Sequence, residues 1–249
     1  MSRLLKAIYN KDNHYAVHVD AKAPQDTHDL VNVLSKQCSN LYVLPPINAA
    51  WGDWSLVEIE LQAIKLLLDL DLPWTHYIIL SGQDFALANQ QTIRGFLDRN
   101  LDQSFVNYIP RSIGQAFKHN LLYTENDGIV TAVAERTAPF QDLFPQITIY
   151  EGSQWKILNR ECAIYSLYSE QAIALQAFYK DSFVPDESYF QTVLSYSSLA
   201  PMVQNNNMRY MIMEDYTNGQ GVIRPRVLVT DDLINMMSST ALPVILMLR

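Results

Sequence analysis

The 249 residues, 49% hydrophobic and 18% charged, suffice to bury a sizeable core as one large domain or two small ones. A formal net charge of -8 and a pI near 5.0 argue against a protein that wraps nucleic-acid phosphates, which needs a basic face, so an anionic ligand must find locally placed cations. No run approaches the roughly 18 apolar residues of a membrane span, and the opening Met1-Ser2-Arg3-Leu4-Leu5-Lys6 lacks the apolar core of a signal peptide, so no span is expected within this chain.

Short apolar runs at 15–19, 41–44 and 77–80 predict strands, and a longer periodic run through Ile59, Leu61, Ile64, Leu67 and Leu68 predicts a helix between the last two. That helix is expected to start near Ser55, which forms a capping-box pattern with Glu58. Strand, helix, strand implies parallel crossovers and a three-layer α/β arrangement. Further strands are expected at 105–109, 155–158 and 209–212, and helices around 160–180 and 188–197. The polar, aperiodic stretch from Gln115 to Phe140 reads as a long loop. Neither linker nor repeat interrupts the chain, so residues 1–249 are expected to form one domain. Cys38 and Cys162 stand far apart without neighbouring ligands, which predicts two buried thiols rather than a disulfide framework or a zinc site.

Two acids follow predicted strands directly: Asp20 in His18-Val19-Asp20, and Asp84 in Ser81-Gly82-Gln83-Asp84. Carboxylates at strand ends of open α/β sheets can accept hydrogen bonds from ribose or sugar hydroxyls, though each also suits a loop cap. Trp51-Gly52-Asp53-Trp54 offers two rings for stacking on a base or sugar face, or two core aromatics. Gly152-Ser153-Gln154-Trp155 allows close backbone approach or simply a turn. In Val184-Pro185-Asp186-Glu187, Pro185 sets the approach to a helix; one acid can cap while the other points into a cleft, or capping can be their whole role. Asp69-Leu70-Asp71 spells a metal-binding triplet but sits at a predicted helix end, which makes it a decoy. Gly219-Gln220-Gly221 lacks the setting of a dinucleotide fingerprint, and phosphate-loop and nucleophile-elbow signatures are absent.

In order along most of the chain, these pieces resemble the core-2/I-branching β-1,6-N-acetylglucosaminyltransferases and the related peptide O-xylosyltransferases, in a bacterial-type form. The segments are Arg3 to Tyr9, His18-Val19-Asp20-Ala21-Lys22, Trp51 to Ser55, Leu80 to Phe85, Gly152 to Trp155, Pro185 to Val193 and Met208-Arg209-Tyr210. The resemblance implies a variant of the glycosyltransferase A-type fold with a mostly parallel central sheet, a UDP-sugar donor, a glycan or glycoprotein acceptor, inversion, and neither metal nor cofactor. It assigns the base to Glu187, a nucleoside-binding acid to Asp20 beside His18, and an aromatic beside uridine to Trp51. Asp84, Arg209 and Arg224 or Arg226 fall on the donor side, and Gly152, Ser153, Trp155 and Asp186 on the sugar or acceptor side. An ionised Glu can take a proton from an attacking hydroxyl, and without a metal, Arg side chains must stabilise the leaving diphosphate.

Two departures from the family pattern shape further expectations. The chain starts at the family's first helix, without its first strand. After Ser238-Ser239-Thr240-Ala241, where the family shows Phe-Ala-Arg-Lys-Phe-Asp with a second phosphate-binding Lys, it reads Leu242-Pro243-Val244-Ile245-Leu246-Met247. Codons for Phe-Ala-Arg-x-Phe-Asp, read one base late, give that ending, with x being Asn, His, Tyr or Asp; a gene lacking such a continuation in every shifted frame would refute a frameshift. These departures keep a non-catalytic UDP- or glycan-binding relic open as the alternative. A bacterial member is expected in the cytoplasm or at the membrane periphery, and a Golgi member only with an anchor outside this chain.

Overall fold

The computed structural model describes residues 2–215, 223–232 and 245–247. The chain opens with α1 (Ser2–Ile8), β1 (Tyr15–Val17), α2 (Gln25–Gln37) and β2 (Leu41–Val43). β1 and β2 pair in parallel, Tyr15 opposite Leu41, because α2 crosses between them and packs Val31 against Val19 and Leu41. Next comes α3 (Ser55–Asp69), whose Val57, Leu61, Ile64 and Leu67 share one buried face. The expected capping box does not form. Asp53 lies close enough to accept the Ser55 N–H itself, at 2.8 Å, while the Ser55 hydroxyl accepts from the Ala50 N–H at 3.2 Å. Asp69 ends the helix in a surface pair with Lys65 at 2.6 Å, the helix-end position expected of the Asp-Leu-Asp triplet.

β3 (His76–Ile78), β4 (Asp84–Phe85), α4 (Gln90–Asp98) and β5 (Ser104–Pro110) follow, and then α5 (Phe117–Asn120). Where a long loop was expected, the chain forms a hairpin of β6 (Leu121–Asn126) and β7 (Ile129–Glu135). Its two-residue turn, Asp127-Gly128, has φ of 52° and 82°, a backbone that this dipeptide favours. The hairpin's residues are mostly exposed, which is why no alternating pattern marks it.

After α6 (Phe140–Leu143) come β8 (Tyr150–Asn159), α7 (Arg160–Tyr168), α8 (Glu170–Tyr179) and α9 (Tyr189–Ser195). The helix expected over 160–180 is two helices, because Ser169 caps the second with its hydroxyl on the Ala172 N–H at 3.1 Å. The chain continues as β9 (Val203–Gln204), β10 (Arg209–Tyr210), β11 (Met213–Asp215), β12 (Ile223–Pro225) and β13 (Ile245–Met247). Gly219-Gln220-Gly221, residues 233–244 and the last two positions lie outside the described residues, including most of the ending expected from a frameshift.

The main sheet runs β3-β8-β5-β9, so the fold is mixed α/β with a sheet that is parallel only in part, not mostly. β8 is antiparallel to β3 and β5; only β5 and β9 are parallel. The cause is the connection: Pro110 pairs with Tyr150, so the excursion from 111 to 149 leaves and returns at one end of the sheet. Alternate residues serve opposite faces. Val106 and Leu158 join the large core of α3, α7, α8 and α9, while Phe105 and Ile157 pack under α1 and α4 with Leu4, Ile8, Ile93 and Leu97. Burying each such side chain fully is worth about 1.5–3 kcal/mol. Cys162 is buried in that core, but Cys38 is only half-buried: it follows the last turn of α2 at the margin of the small cluster of Val19, Val31 and Leu41.

Candidate active site

The turn Pro185–Glu187 is held from three sides. Before it, Val184 adopts a left-handed backbone at φ 53°, unusual for a β-branched residue, and its N–H donates to the Gly52 carbonyl at 2.9 Å. After it, the Ser188 hydroxyl donates to the Tyr150 carbonyl at 2.7 Å and meets the Tyr179 hydroxyl at 2.9 Å. Thr192, one turn into α9, contacts the same tyrosine. The residue preceding α9 is Ser188, with no side-chain cap bond. Both acids lie in the short helical turn ahead of α9, and neither stands at the position that caps α9.

Asp186 is buried and one of its oxygens has no hydrogen-bond partner; burial pushes its carboxyl up to about 6, opposed by Lys156. Glu187 is half-buried. Burial first, and the neighbouring Asp186 charge second, push its carboxyl up to about 7, with Lys118 opposing and Glu151 adding. A carboxylate poised at that level is ionised on demand near neutrality and strongly basic for its type.

The Trp51 loop docks on this turn. Gly52 has φ 84°, and a Cβ there would lie 2.7 Å from the Phe183 ring, so only glycine admits the contact. Trp51 stands edge-on to Phe183 at 5.4 Å yet remains 72% exposed. Trp54 instead enters the core against Tyr189, so the motif supplies one free ring and one structural ring.

The turn after β1 abuts the approach to this loop. The Ala21 N–H donates to the Ile47 carbonyl at 3.0 Å, and the Lys22 ammonium reaches the Ala49 carbonyl at 2.7 Å. His18 Nε2 accepts from the Ile47 N–H at 3.2 Å, and burial holds the imidazole below its ordinary value. Asp20 accepts from the Lys22 N–H at 2.8 Å with its side chain still a third exposed. Contacts at 21 and 47, at 22 and 49, and at 52 and 184 thus link the three segments that carry His18 and Asp20, Trp51, and Glu187.

The other expected residues have local engagements. Asp84 and Arg209 form a buried ion pair at 2.6 Å. Trp155 Nε1–H donates to Asp84 at 3.3 Å, and the Arg209 guanidinium lies over the Trp155 ring. Burial drives both ions toward neutrality, Asp84 up and Arg209 down to about 10, against their mutual attraction. Gly152 serves the sheet: a Cβ there would fall 1.8 Å from the Asn107 carbonyl, where β5 bulges between Val106 and Tyr108. The Ser153 hydroxyl accepts from the Trp155 N–H at 3.3 Å, and its carbonyl accepts from Gln191 at 2.8 Å. Arg226 grips Asp232 through both terminal nitrogens and Glu214 through Nε at 2.7 Å. Arg224 lies opposite Glu214 in the β11–β12 ladder, its side chain outside the described residues.

Five charged residues near the turn escaped sequence reasoning. Lys118 lies 3.5 Å from Glu151, and both act on Glu187. Arg111 enters beside them, with a buried guanidinium nitrogen that has no hydrogen-bond partner. Lys156 and Glu60 form a fully buried pair at 2.7 Å. For that pair alone a signal existed: Lys156 interrupts the apolar run Trp155-Lys156-Ile157-Leu158, and Glu60 falls on the buried face of α3. Among the described residues no three His, Cys, Asp or Glu side chains could together hold a metal ion, and no helix there is long and apolar enough to cross a membrane.

Comparison with known proteins adds two findings. The family model described as Core-2/I-Branching enzyme matches residues 1–237. The chain is 32% identical over 216 residues to Xylosyltransferase 1 of Homo sapiens, covering 84% of this chain and 22% of that protein. It is 30% identical over 216 residues to Xylosyltransferase 2 of Bos taurus, covering 84% and 24%. The chain thus spans roughly a quarter of the length of the curated relatives it matches.

Proposed function

The chain belongs to the Core-2/I-Branching enzyme family, and from that premise we propose that it is a glycosyltransferase moving xylose or N-acetylglucosamine from a UDP-sugar to a hydroxyl of a glycan or protein. The observation that carries this is Glu187: a half-buried acid with its carboxyl pushed up to about 7, in a turn on which the loop of the exposed Trp51 docks through Gly52 and Val184. In the proposed reaction the acceptor hydroxyl gives its proton to the Glu187 carboxylate as its oxygen attacks the anomeric carbon. The bond to the UDP oxygen breaks, and the electron pair leaves with the diphosphate. One base and one in-line displacement invert the anomeric centre. Trp51, with Asp20 and His18 near it, would receive the nucleoside.

The family pattern sees no metal in this step. Arg residues of the 209–226 region would then balance the diphosphate charge, which requires Arg226 to exchange Asp232 or Glu214 for phosphate. That engagement favours one alternative, a UDP- or glycan-binding protein without turnover. A screen of UDP-sugars in the presence of a chelator, with wild type and Glu187→Gln, separates the two. Transfer by wild type with chelator present, lost in the Gln variant, supports the transferase. Loss of turnover on chelation refutes metal independence, full activity of Glu187→Gln refutes the base, and calorimetric UDP binding without transfer or donor hydrolysis selects the alternative.

A further inference from the structure

Beneath Glu187 lies a buried series of charges that the proposed reaction does not use. Lys156 is 1% exposed; its ammonium lies 2.7 and 3.0 Å from the two Glu60 oxygens and 4.1 Å from the centre of the Phe190 ring. Lys156 comes from β8, Glu60 from α3 and Asp186 from the turn before α9, so distant parts of the chain converge. Asp186 is 4% exposed, and its Oδ1 lacks a hydrogen-bond partner. A buried carboxylate so poorly hydrogen-bonded depends on nearby positive charge to stay ionised. Lys156 is the foremost cation acting on it, with Lys118 behind.

We propose that Asp186 is a positioning residue rather than a ligand for sugar: kept anionic by the Lys156 ammonium, which Glu60 holds in place, it repels the Glu187 carboxylate and so sets how strongly Glu187 holds a proton. The idea rests on Glu187 as the base and gives that base its tuning partner. The turn carrying Asp186 and Glu187 packs against both β8 and α3, the elements of Lys156 and Glu60. The charges of Asp186, Lys118 and Glu151 act on Glu187, those of Lys156 and Lys118 on Asp186, those of Glu60, Asp186 and Arg209 on Lys156, and those of Lys156 and Asp186 on Glu60. Within the 60/156 pair, burial pulls Glu60 up and Lys156 down while their contact opposes both movements. Lys156 opposes the upward push of burial on the Asp186 carboxyl and so favours its charged form, the form that raises Glu187.

The test is a carbon NMR titration of protein labelled at the glutamate carboxyl carbons, with Glu187 assigned by the resonance missing from Glu187→Gln. Asp186→Asn should lower the Glu187 midpoint by about one pH unit, the scale of a close like charge. The double variant Glu60→Gln/Lys156→Met should lower it similarly, because Asp186 without its cation takes up a proton near neutrality. Adding Asp186→Asn to the double should shift it no further, and Lys156→Arg should leave it in place. An unmoved midpoint in Asp186→Asn, or additive shifts in the triple variant, overturns the proposal. Should the double fail to fold, Asp186→Asn and Lys156→Arg still decide it. The titration needs no turnover: shifts as expected in a protein that transfers no sugar support the coupling and refute the reaction.

Discussion

Replacing Glu187 with Gln should stabilise the protein at alkaline pH while abolishing transfer. The carboxyl's value in the fold, about 7, stands above its ordinary 4.5, so the folded chain holds this proton more tightly than the unfolded one. The stability this contributes is fully present below pH 4.5 and is lost as pH rises through 7. At about 1.4 kcal/mol per pH unit of difference, the ionised form costs the fold about 3 kcal/mol at pH 8. Gln keeps the shape without the charge. Urea unfolding at pH 4 should find the two proteins equal, and at pH 8 should find Glu187→Gln more stable by about 3 kcal/mol, or about 6–12 °C in Tm for a chain of this size. A difference that is independent of pH, or a Gln variant less stable at pH 8, would refute the account of burial and repulsion at this carboxyl.

Lys156→Met alone should cost about 3–5 kcal/mol in urea unfolding at pH 8, because Glu60 is left buried without its partner. The cost should shrink below pH 7, where Glu60 takes up a proton, and Glu60→Gln/Lys156→Met should recover most of it; a single variant as stable as wild type at pH 8 would deny that the pair is ionic. Gly152→Ala should destabilise by about 3 kcal/mol in thermal melts, since backbone meets its new Cβ and neither strand can yield cheaply. Trp51→Ala should change stability by under about 0.5 kcal/mol, the ring being largely exposed. It should nevertheless weaken UDP binding about tenfold by calorimetry if the ring stacks on the base, and unchanged affinity would remove Trp51 from the donor site.

Periodic elements were legible in advance because their patterns follow from burial. The run Ile59, Leu61, Ile64, Leu67 and Leu68 marks the α3 helix whatever surrounds it, and the runs at 15–19, 41–44, 77–80 and 105–109 overlap the strands found. Strand direction was not legible, since it depends on where a connection returns, and nothing local to Trp155-Lys156-Ile157-Leu158 says that β8 runs backward between its neighbours. The 121–135 hairpin went unread because its outward-facing Ile129 and Val133 break the alternation of a half-buried strand, though Asp127-Gly128 was an available turn signal. At the candidate site, ordered motifs pick out His18, Asp20, Trp51 and Glu187, and the segments that carry them are linked by backbone contacts between 21 and 47 and between 52 and 184. Lys118, Glu151 and Arg111 lie 36 or more residues from Glu187 along the chain, and only packing brings them near. Asp84 and Arg209, expected on the donor side, and Trp155, expected on the sugar or acceptor side, spend their polar atoms on one another, a grouping that no local pattern announces.

The Gly52–Val184 contact has a consequence for how this protein can diverge. Gly52 leaves room for the Phe183 ring, its carbonyl receives the Val184 N–H, and the left-handed backbone at Val184 aims the turn that carries Glu187. A side chain gained at 52 meets both the ring at 183 and a backbone conformation that side chains rarely adopt, and a loop displaced at 52 withdraws the acceptor that pins 184. Positions 52, 183 and 184 are therefore expected to drift as a unit through descent, while the neighbouring exposed ring at 51 remains free to change with whatever ligand it meets.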